Sequence, residues 1–396
     1  MSRKKERLSE REMRAQAEAI EELIQKRCPP GWLTLPMMQS ALGATWSALG
    51  RHEQARAAYL IAVQAEDRGG RVPIRDIEQL ANLEARLGEK AGDDQMIERA
   101  VSRLNQLDLL VSNEAKGEAA SAIVNAERCA LRGSAFKRKA SMHAKALLAA
   151  YRDRGDKEKA ERAETKIASE RPKMQEALAD AVKAYRQGEG VAGDARFKPY
   201  NALNRLALDA LTPWPEMADE RKAAVAAAVA FARQCRQAAA DFARSLTFWD
   251  AVMQPEAVLV ERLLDGSLAE PGEAGKAALN EVVQAYTEAL SNLTATPTEL
   301  DSVVSQMNLM ATFCDALYVA DGDEAWQRVA NALLELVQRI QPGIRPPDHR
   351  LPGKPAASTT ETRVVPAAPA EQSKTPIGPG APKRKKGARP ARKPRQ

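Results

Sequence analysis

Between Pro36 and Arg68 the chain sets small, turn-forming and large apolar residues at spacings that suit a pair of short antiparallel helices. Leu42, Trp46 and Leu49 fall on one face of a first helix, and Ala55, Tyr59, Ala62 and Val63 on one face of a second. Gly50 stands where the first helix must stop, because glycine enters the left-handed C-terminal conformation without a Cβ clash. Gly43 and Ala55 are small where the two helices would cross closely. Such a hairpin cannot bury its apolar face alone, so neighbours must follow it.

The order Leu42-Gly43-x2-Trp46, Gly50, Ala55-x3-Tyr59, Ala62 resembles the tetratricopeptide (TPR) repeat, whose period is about 34 residues. Asp67 stands where that family closes with proline. A partial second copy covers residues 141–174: Leu147-Leu148-x2-Tyr151, Gly155, Ala160 and a closing Pro172. It departs from the pattern at Leu148, where the family has a small residue, and at Glu164, the counterpart of Tyr59. From Gly50 to Gly155 is 105 residues, three periods of 35, so two divergent repeats fit between the two turns.

The rest of the chain up to residue 340 also reads as helices between breaks. Residues 5–27 form a capping helix. Ile77 to Leu87 form a helix stopped at Gly88; after the turn Gly92-Asp93-Asp94, Met96 to Leu104 return. Ala119–Lys139 is a helix whose Gly133-x2-Phe136 echoes half of the repeat motif, and Met174–Arg186 is another. Tyr200–Leu211 follows, then a long helix from about Asp219 with a stripe running Val225, Val229, Ala232, Cys235, Ala239, Phe242, Leu246, Trp249. Pro255–Leu264, Ala274–Leu293, a helix opened by Thr296-Pro297-Thr298-Glu299, and a last one from Trp326 to Ile340 complete the series. The predicted fold is all-α: a TPR-like helical-hairpin array, an α-solenoid, with a disordered C-terminal tail. Its parts are an N-terminal capping helix (1–30), TPR-like repeats (31–190), a divergent helical-repeat region (191–342) and a Pro-rich basic tail (343–396). That tail holds twelve of the 23 prolines, counted from Pro342.

Catalytic chemistry finds little to work with. Cys28, Cys129, Cys235 and Cys314 lie far apart, and the histidines are only His52, His143 and His349. The spacing gives no metal-ligand cluster and no nucleophile–base pair, so the reading is a non-enzyme without cofactor or metal. Gly188-Glu189-Gly190-Val191-Ala192-Gly193 matches G-x-G-x-x-G, but a helix precedes it where a dinucleotide fingerprint needs a strand, and it reads as an inter-helix turn. No apolar stretch approaches the length of a membrane span, and the N-terminus lacks an apolar signal core. With unclustered thiols, this points to the cytoplasm.

Other stretches widen the resemblance. Leu131-x-Gly133-Ser-Ala-Phe136-Lys137-Arg138, Tyr200-Asn-Ala-Leu203-Asn204, Phe248-Trp249-Asp250-Ala251-Val252 and Thr298-Glu299-Leu300-Asp301-Ser302-Val303 look like segments of bacterial helical-repeat proteins associated with caspase-like CHAT peptidases. They are also similar to the TRAFs-binding helical region of MAP kinase kinase kinases. The resemblance implies a non-catalytic interaction scaffold or a regulatory, sensing subunit. By register, the concave face of such an array presents Ser40, Ala44 and Ser47 in the first repeat and Lys145, Ala149 and Arg152 in the second. Of these, Ser40, Ser47, Lys145 and Arg152 are the candidate partner contacts. Being mostly small and uncharged, the set suits a helical or apolar segment of a protein or peptide partner better than a peptide carboxylate.

Charge divides the chain. From Arg345 onward 13 Lys/Arg face 3 Asp/Glu, while the remainder holds 46 against 50. A mildly acidic body therefore carries a basic tail, and non-specific nucleic-acid binding by that tail is the alternative function. Its contacts would be Lys383, Arg384, Lys385, Lys386, Arg389, Arg392, Lys393 and Arg395. If all eight engage duplex DNA, the log–log salt slope of affinity should reach about −7. Titrating random-sequence duplex into the full chain and into a chain lacking Lys383–Arg395, at two salt concentrations, checks it: binding should vanish with the tail. Absence of binding by the full chain at low salt removes this reading.

Overall fold

The computed structural model describes residues 10–64, 73–114, 118–156, 158–190, 197, 199–211, 218–242, 247–291, 295 and 297–341. Thirteen α-helices and no strand lie among the described residues, in agreement with an all-α, TPR-like helical-hairpin array. The tail from Pro342, with all eight of its candidate phosphate contacts, lies outside them, as do Val191–Gly193 and Thr296.

The first hairpin is α2 (Pro36–Ala48) and α3 (His52–Gln64). Gly50 has φ 70°, and the Arg51 N–H reaches back to the Trp46 carbonyl at 2.8 Å to close α2. A Cβ on Gly43 would lie 2.8 Å from the Tyr59 ring, so the bare glycine is what lets that ring rest on α2. Helix α1 (Glu10–Arg27) packs on this pair through Ala17, Ile20 and Ile24, while Leu23 faces outward.

The second hairpin is α4 (Ile74–Ala91) and α5 (Asp94–Glu114). Gly88 was expected to end α4, but the helix continues to Ala91 and left-handed Gly92, φ 69°, ends it. Gly88 instead marks a close approach, since a Cβ there would meet Ile97 Cγ1 at 2.8 Å.

The third hairpin departs furthest from expectation. Helix α6 (Glu118–Asp153) runs 36 residues without the break expected between Lys139 and Ser141. Helix α7 (Ala160–Gly188) runs 29 residues with Pro172 inside it, not closing it. Both are more than twice as long as the 13-residue α2 and α3. The interval from Gly50 to Gly155 therefore holds one intervening hairpin, not two. Gly155 does not take a positive φ; hydrogen bonds from Asp156 N–H to Asp153 O and from Lys159 N–H to Asp156 O, 3.0 and 3.1 Å, shape that turn. The repeat's small-on-large crossing recurs, but far from the turn. A Cβ on Gly133 would sit 2.7 Å from the Tyr185 ring, so Gly133-x2-Phe136 and Ala181-x3-Tyr185 repeat the relation of Gly43-x2-Trp46 to Ala55-x3-Tyr59.

Six helices follow: α8 (Pro199–Asp209), α9 (Ala218–Phe242), α10 (Phe248–Leu264), α11 (Glu273–Ser291), α12 (Pro297–Asp321) and α13 (Glu324–Ile340). The stripe expected to continue to Trp249 is cut: Thr247 caps a new helix by accepting the Asp250 N–H, Phe248 is buried and Trp249 is exposed. Pro255 lies inside α10, not at its start. Gly266 and Gly322 turn the chain as expected, and Asp323 caps α13 through the Ala325 N–H at 2.8 Å.

Helix α12 buries Leu309, Met310, Ala311, Thr312, Phe313 and Cys314 in succession, more than one full turn. A stretch buried all the way round must be covered all the way round. Helix α13 covers part of it, and α2 and α6 another part. These two belong, with α4, to the first members of the hairpins, which pack together as α4 on α6. Helix α12 therefore packs against first helices of the hairpins, α6 and α2.

Two substitutions separate the two roles of glycine. Gly133→Ala overpacks the α6–α7 crossing and should cost about 1–3 kcal/mol; Gly50→Val strains a left-handed residue with open space around it and should cost about 1–2 kcal/mol. Denaturant melts with Tyr185→Leu added should recover part of the first loss and none of the second.

Candidate functional site

Polar side chains meet where α12 lies against the first helices of the hairpins. Helical spacing puts Arg86 with Glu89 on one face of α4, Lys137 with Ser141 on α6, Tyr200 with Asn204 on α8, and Ser302 with Gln306 on α12. Glu256 of α10 completes the set. Glu89 is held by three donors, Arg138 Nη1 at 2.7 Å, Ser141 Oγ at 2.9 Å and Lys145 Nζ at 2.8 Å. Burial alone would raise its carboxyl, but Arg138 and Lys145 outweigh burial and hold it below the usual range.

Lys137 is 4% exposed. Its Nζ donates to Asn204 Oδ1 at 2.9 Å and to Gln306 Oε1, and stands 5.6 Å from the centroid of the Tyr185 ring. Burial, then the neighbouring Arg138, lowers its ammonium to about 7. Arg86 Nη2 donates to Ser302 Oγ at 3.0 Å, and burial with Arg138 nearby brings its guanidinium down to about 10.

Three groups here lack what buried polar atoms normally have. The Tyr185 hydroxyl, in a side chain 0% exposed, has no hydrogen-bond partner among the described residues, and neither has Arg138 Nε. Glu256 makes no hydrogen bond or ion pair with any described residue, although Lys137 lies near enough to act on it. Glu256 keeps part of its surface accessible, yet burial pushes its carboxyl up to about 7. Tyr200 is likewise half-buried with its phenol raised to about 12, by burial first and Glu256 second. The junction where α6 packs on α4, α8 and α12, and α8 on α10, is the recess. Tyr286 is raised by burial first and by Glu256 second.

Elsewhere in the body Glu84, 0% exposed, takes Arg103 at 2.8 Å and Arg56 at 3.5 Å, and His143 Nδ1 meets Glu170 at 2.7 Å. Single atoms without a hydrogen-bond partner among the described residues occur there too, including Arg56 Nε, Arg128 Nη1 and His143 Nε2. Among the described residues no His/Cys/Asp/Glu group could hold a metal ion.

The four candidate partner contacts do not converge. Ser40 Oγ donates to Asp76 Oδ1 at 2.6 Å within the repeats, Lys145 serves Glu89, Ser47 lies near the end of α2, and Arg152 is exposed near the far end of α6. Of the recess residues only Lys145 is read from the sequence as a contact, while Lys137, Arg138, Tyr200, Asn204 and Ser302 fall in segments that carry the family resemblance. Their only local signal is charge in an apolar context: Lys137-Arg138 in alanine-rich α6, and Glu256 inside Ala251 to Val260.

Residues 51–209, the span of α3 to α8, match the family described as Tetratricopeptide Repeats-Sensor. Arg86, Glu89, Lys137, Arg138, Tyr185, Tyr200 and Asn204 lie inside the match; Glu256, Ser302 and Gln306 lie beyond it. No curated protein and no solved structure matches the chain.

The raised Glu256 carboxyl binds its proton more tightly in the fold than in the unfolded chain, so ionising it costs stability as pH rises from its ordinary 4.5 through about 7. Lys137 acts in the adjoining window: its penalty is full below about 7 and is relieved as pH rises toward 10.5. The phenols of Tyr185, Tyr200 and Tyr286, all raised by burial, stay uncharged over pH 5–8. Thermal melts should show Glu256→Gln close to wild type at pH 5 and progressively more stable than wild type toward pH 8. A difference independent of pH contradicts the assignment.

Proposed function

We propose that the protein is a non-catalytic sensor subunit: a helical-repeat body that takes up a small molecule in the recess between α4, α6, α8, α10 and α12 and signals its occupancy to a protein partner. The observation that carries this reading is the gathering of Lys137, Arg86, Asn204, Ser302 and Gln306 from four helices at one buried junction, where the Tyr185 hydroxyl and Arg138 Nε are without a partner among the described residues. A buried polar atom left without a partner costs about 1–3 kcal/mol, and a bound ligand offsets that cost. The lining residues come from the hairpins on one side and from α10 and α12 on the other, so a ligand would tie the two together. TPR repeats generally mediate protein interactions, and the sensor family matched over 51–209 agrees with the reading. So does the resemblance of four segments to helical-repeat regulatory regions.

Solvent extraction of the full chain purified without denaturation, followed by mass spectrometry, tests it. One small molecule should be recovered in near-stoichiometric amount. Returned to stripped protein at a hundred times its Kd, it should stabilise the fold by about 2.7 kcal/mol. If nothing is recovered and a metabolite extract leaves the melting temperature of the stripped chain unchanged, the sensor reading fails.

A further inference from the structure

Along α9, beside the end of α10, the surface is hollowed into an open groove of about 590 Å3. Val225 and Val229, one turn apart, make its floor with Ala226. Arg221, Lys222 and Arg233 of the same helix rim it, and Asp265, the residue after α10, borders it. From Arg221 to Arg233 is about 18 Å of helix, so the groove is elongated. Its charge is one-sided. Asp265 accepts Arg262 Nη1 at 2.6 Å through Oδ2 and the Ser267 N–H at 2.9 Å through Oδ1, so that carboxylate is spent on its own turn. Arg233 bonds Glu261 at 2.8 Å but keeps 64% of its side chain exposed, and Arg221 and Lys222 are exposed. What lies in the groove is therefore favoured if it is acidic at its edges and apolar at its centre.

Helix α9 packs on α10 and α8. On its outward side Ala223, Ala226 and Ala230 are exposed, and such small side chains let a second helix approach near the lower end of the usual range of about 8–10 Å. A small molecule here would be covered on one side only, by α9 and the end of α10, whereas a small-molecule site encloses most of its ligand. A helix laid along the groove buries its whole apolar stripe there. We infer that the groove receives an acidic amphipathic helix of the protein partner. Its apolar side chains, one turn apart, rest on Val225, Ala226 and Val229, and its Asp or Glu side chains on either flank reach Arg221, Lys222 and Arg233. This inference rests on the part of the sensor reading that gives the body a protein partner, and it places that partner beyond residues 51–209, away from the first-helix faces of α2 and α6 on which α12 packs. Helix α10 joins the groove to the recess: Glu256 belongs to it, and Glu261, five residues on, holds Arg233 and Arg236 of α9 at 2.8 and 3.3 Å.

Fluorescence anisotropy of the full chain with labelled, end-blocked peptides of about 18 residues, long enough to hold a helix in water, tests the inference. The probe carries Leu along one face, Glu on both flanks and Ala elsewhere. One control has Lys for every Glu, and the other has the same composition with the Leu residues scattered round the helix. The probe should bind tenfold or more tightly than either control. Ala226→Arg adds a charge of the favoured sign but fills the groove, so it should weaken the probe tenfold or more; Lys222→Glu should weaken it as well. Both positions are exposed on a helix, and melting curves that match wild type show the variants to be folded. Unchanged or tighter binding by Ala226→Arg would make the attraction one of general charge, that of the basic tail included, and overturns the inference. So does equal binding of the scattered peptide, or no binding of the probe. The extraction experiment separates this failure from that of the sensor reading. A recovered small molecule with no peptide bound leaves the sensor role standing without this docking surface, whereas an empty extract with the probe bound in the groove leaves a scaffold that is not a sensor.

Discussion

The burial of α12 is the constraint on which the body depends. Leu309 to Cys314 are buried one after another through more than a full turn, so no side of the middle of this helix faces water. The first helices of the hairpins supply one wall of its enclosure and α13 another. This explains how a repeat array, whose first-helix face would otherwise stay open, becomes a body with a continuous core from α6 to α13. It also explains why that face is polar where it meets Ser302 and Gln306. Hairpin cations need acceptors when a helix closes over them, and Gln306 with Asn204 supplies two for Lys137.

Not every group covered by that closure is matched. Replacing a buried ion pair by apolar residues of similar volume is often neutral or stabilising, whereas leaving one charge alone is costly. Glu256 is of the second kind. It sits in a run where its neighbours Ala257, Val258, Leu259 and Val260 are all buried and apolar. A leucine there would have asked nothing of the fold. Its carboxyl, raised by burial, is a group that apolar packing alone does not call for.

The fold was legible wherever the instruction was local. Gly50 ends α2, Gly92 with Asp93 and Asp94 turns α4 into α5, and Asp323 caps α13, because a left-handed glycine and a capping carboxylate act within a few residues. Reading failed where one residue type serves two purposes. Gly88 looks like Gly92 in the sequence, but it leaves room for Ile97 while its helix runs on. Pro172 has the place of a closing proline, yet α7 passes through it. The third hairpin was misread for a related reason: its crossing pairs Gly133 with Tyr185, which are separated by the long outer parts of α6 and α7. No fixed spacing links them. The candidate site was less legible still, because Arg86, Lys137, Tyr200, Glu256 and Gln306 come from five helices and meet only after α12 has been enclosed.

That late assembly bears on what the recess can do. It does not exist in a single hairpin: the cations belong to α4 and α6, Glu256 to α10, and the amides that hold Lys137 to α8 and α12. A molecule bound there would touch the repeats and the later helices at once, so its binding energy would fall on the packing between them. A ligand shifts an equilibrium only by its differential affinity for two arrangements. Any loosening between hairpins and later helices parts Arg86 from Ser302 and Lys137 from Gln306. The molecule then loses at least one charge-assisted contact in the loosened arrangement, of the order of 1.5–3 kcal/mol, which is a population shift of about ten- to a hundredfold. A recess placed at this junction is therefore suited to reporting its occupancy, and one built within a single hairpin would not be.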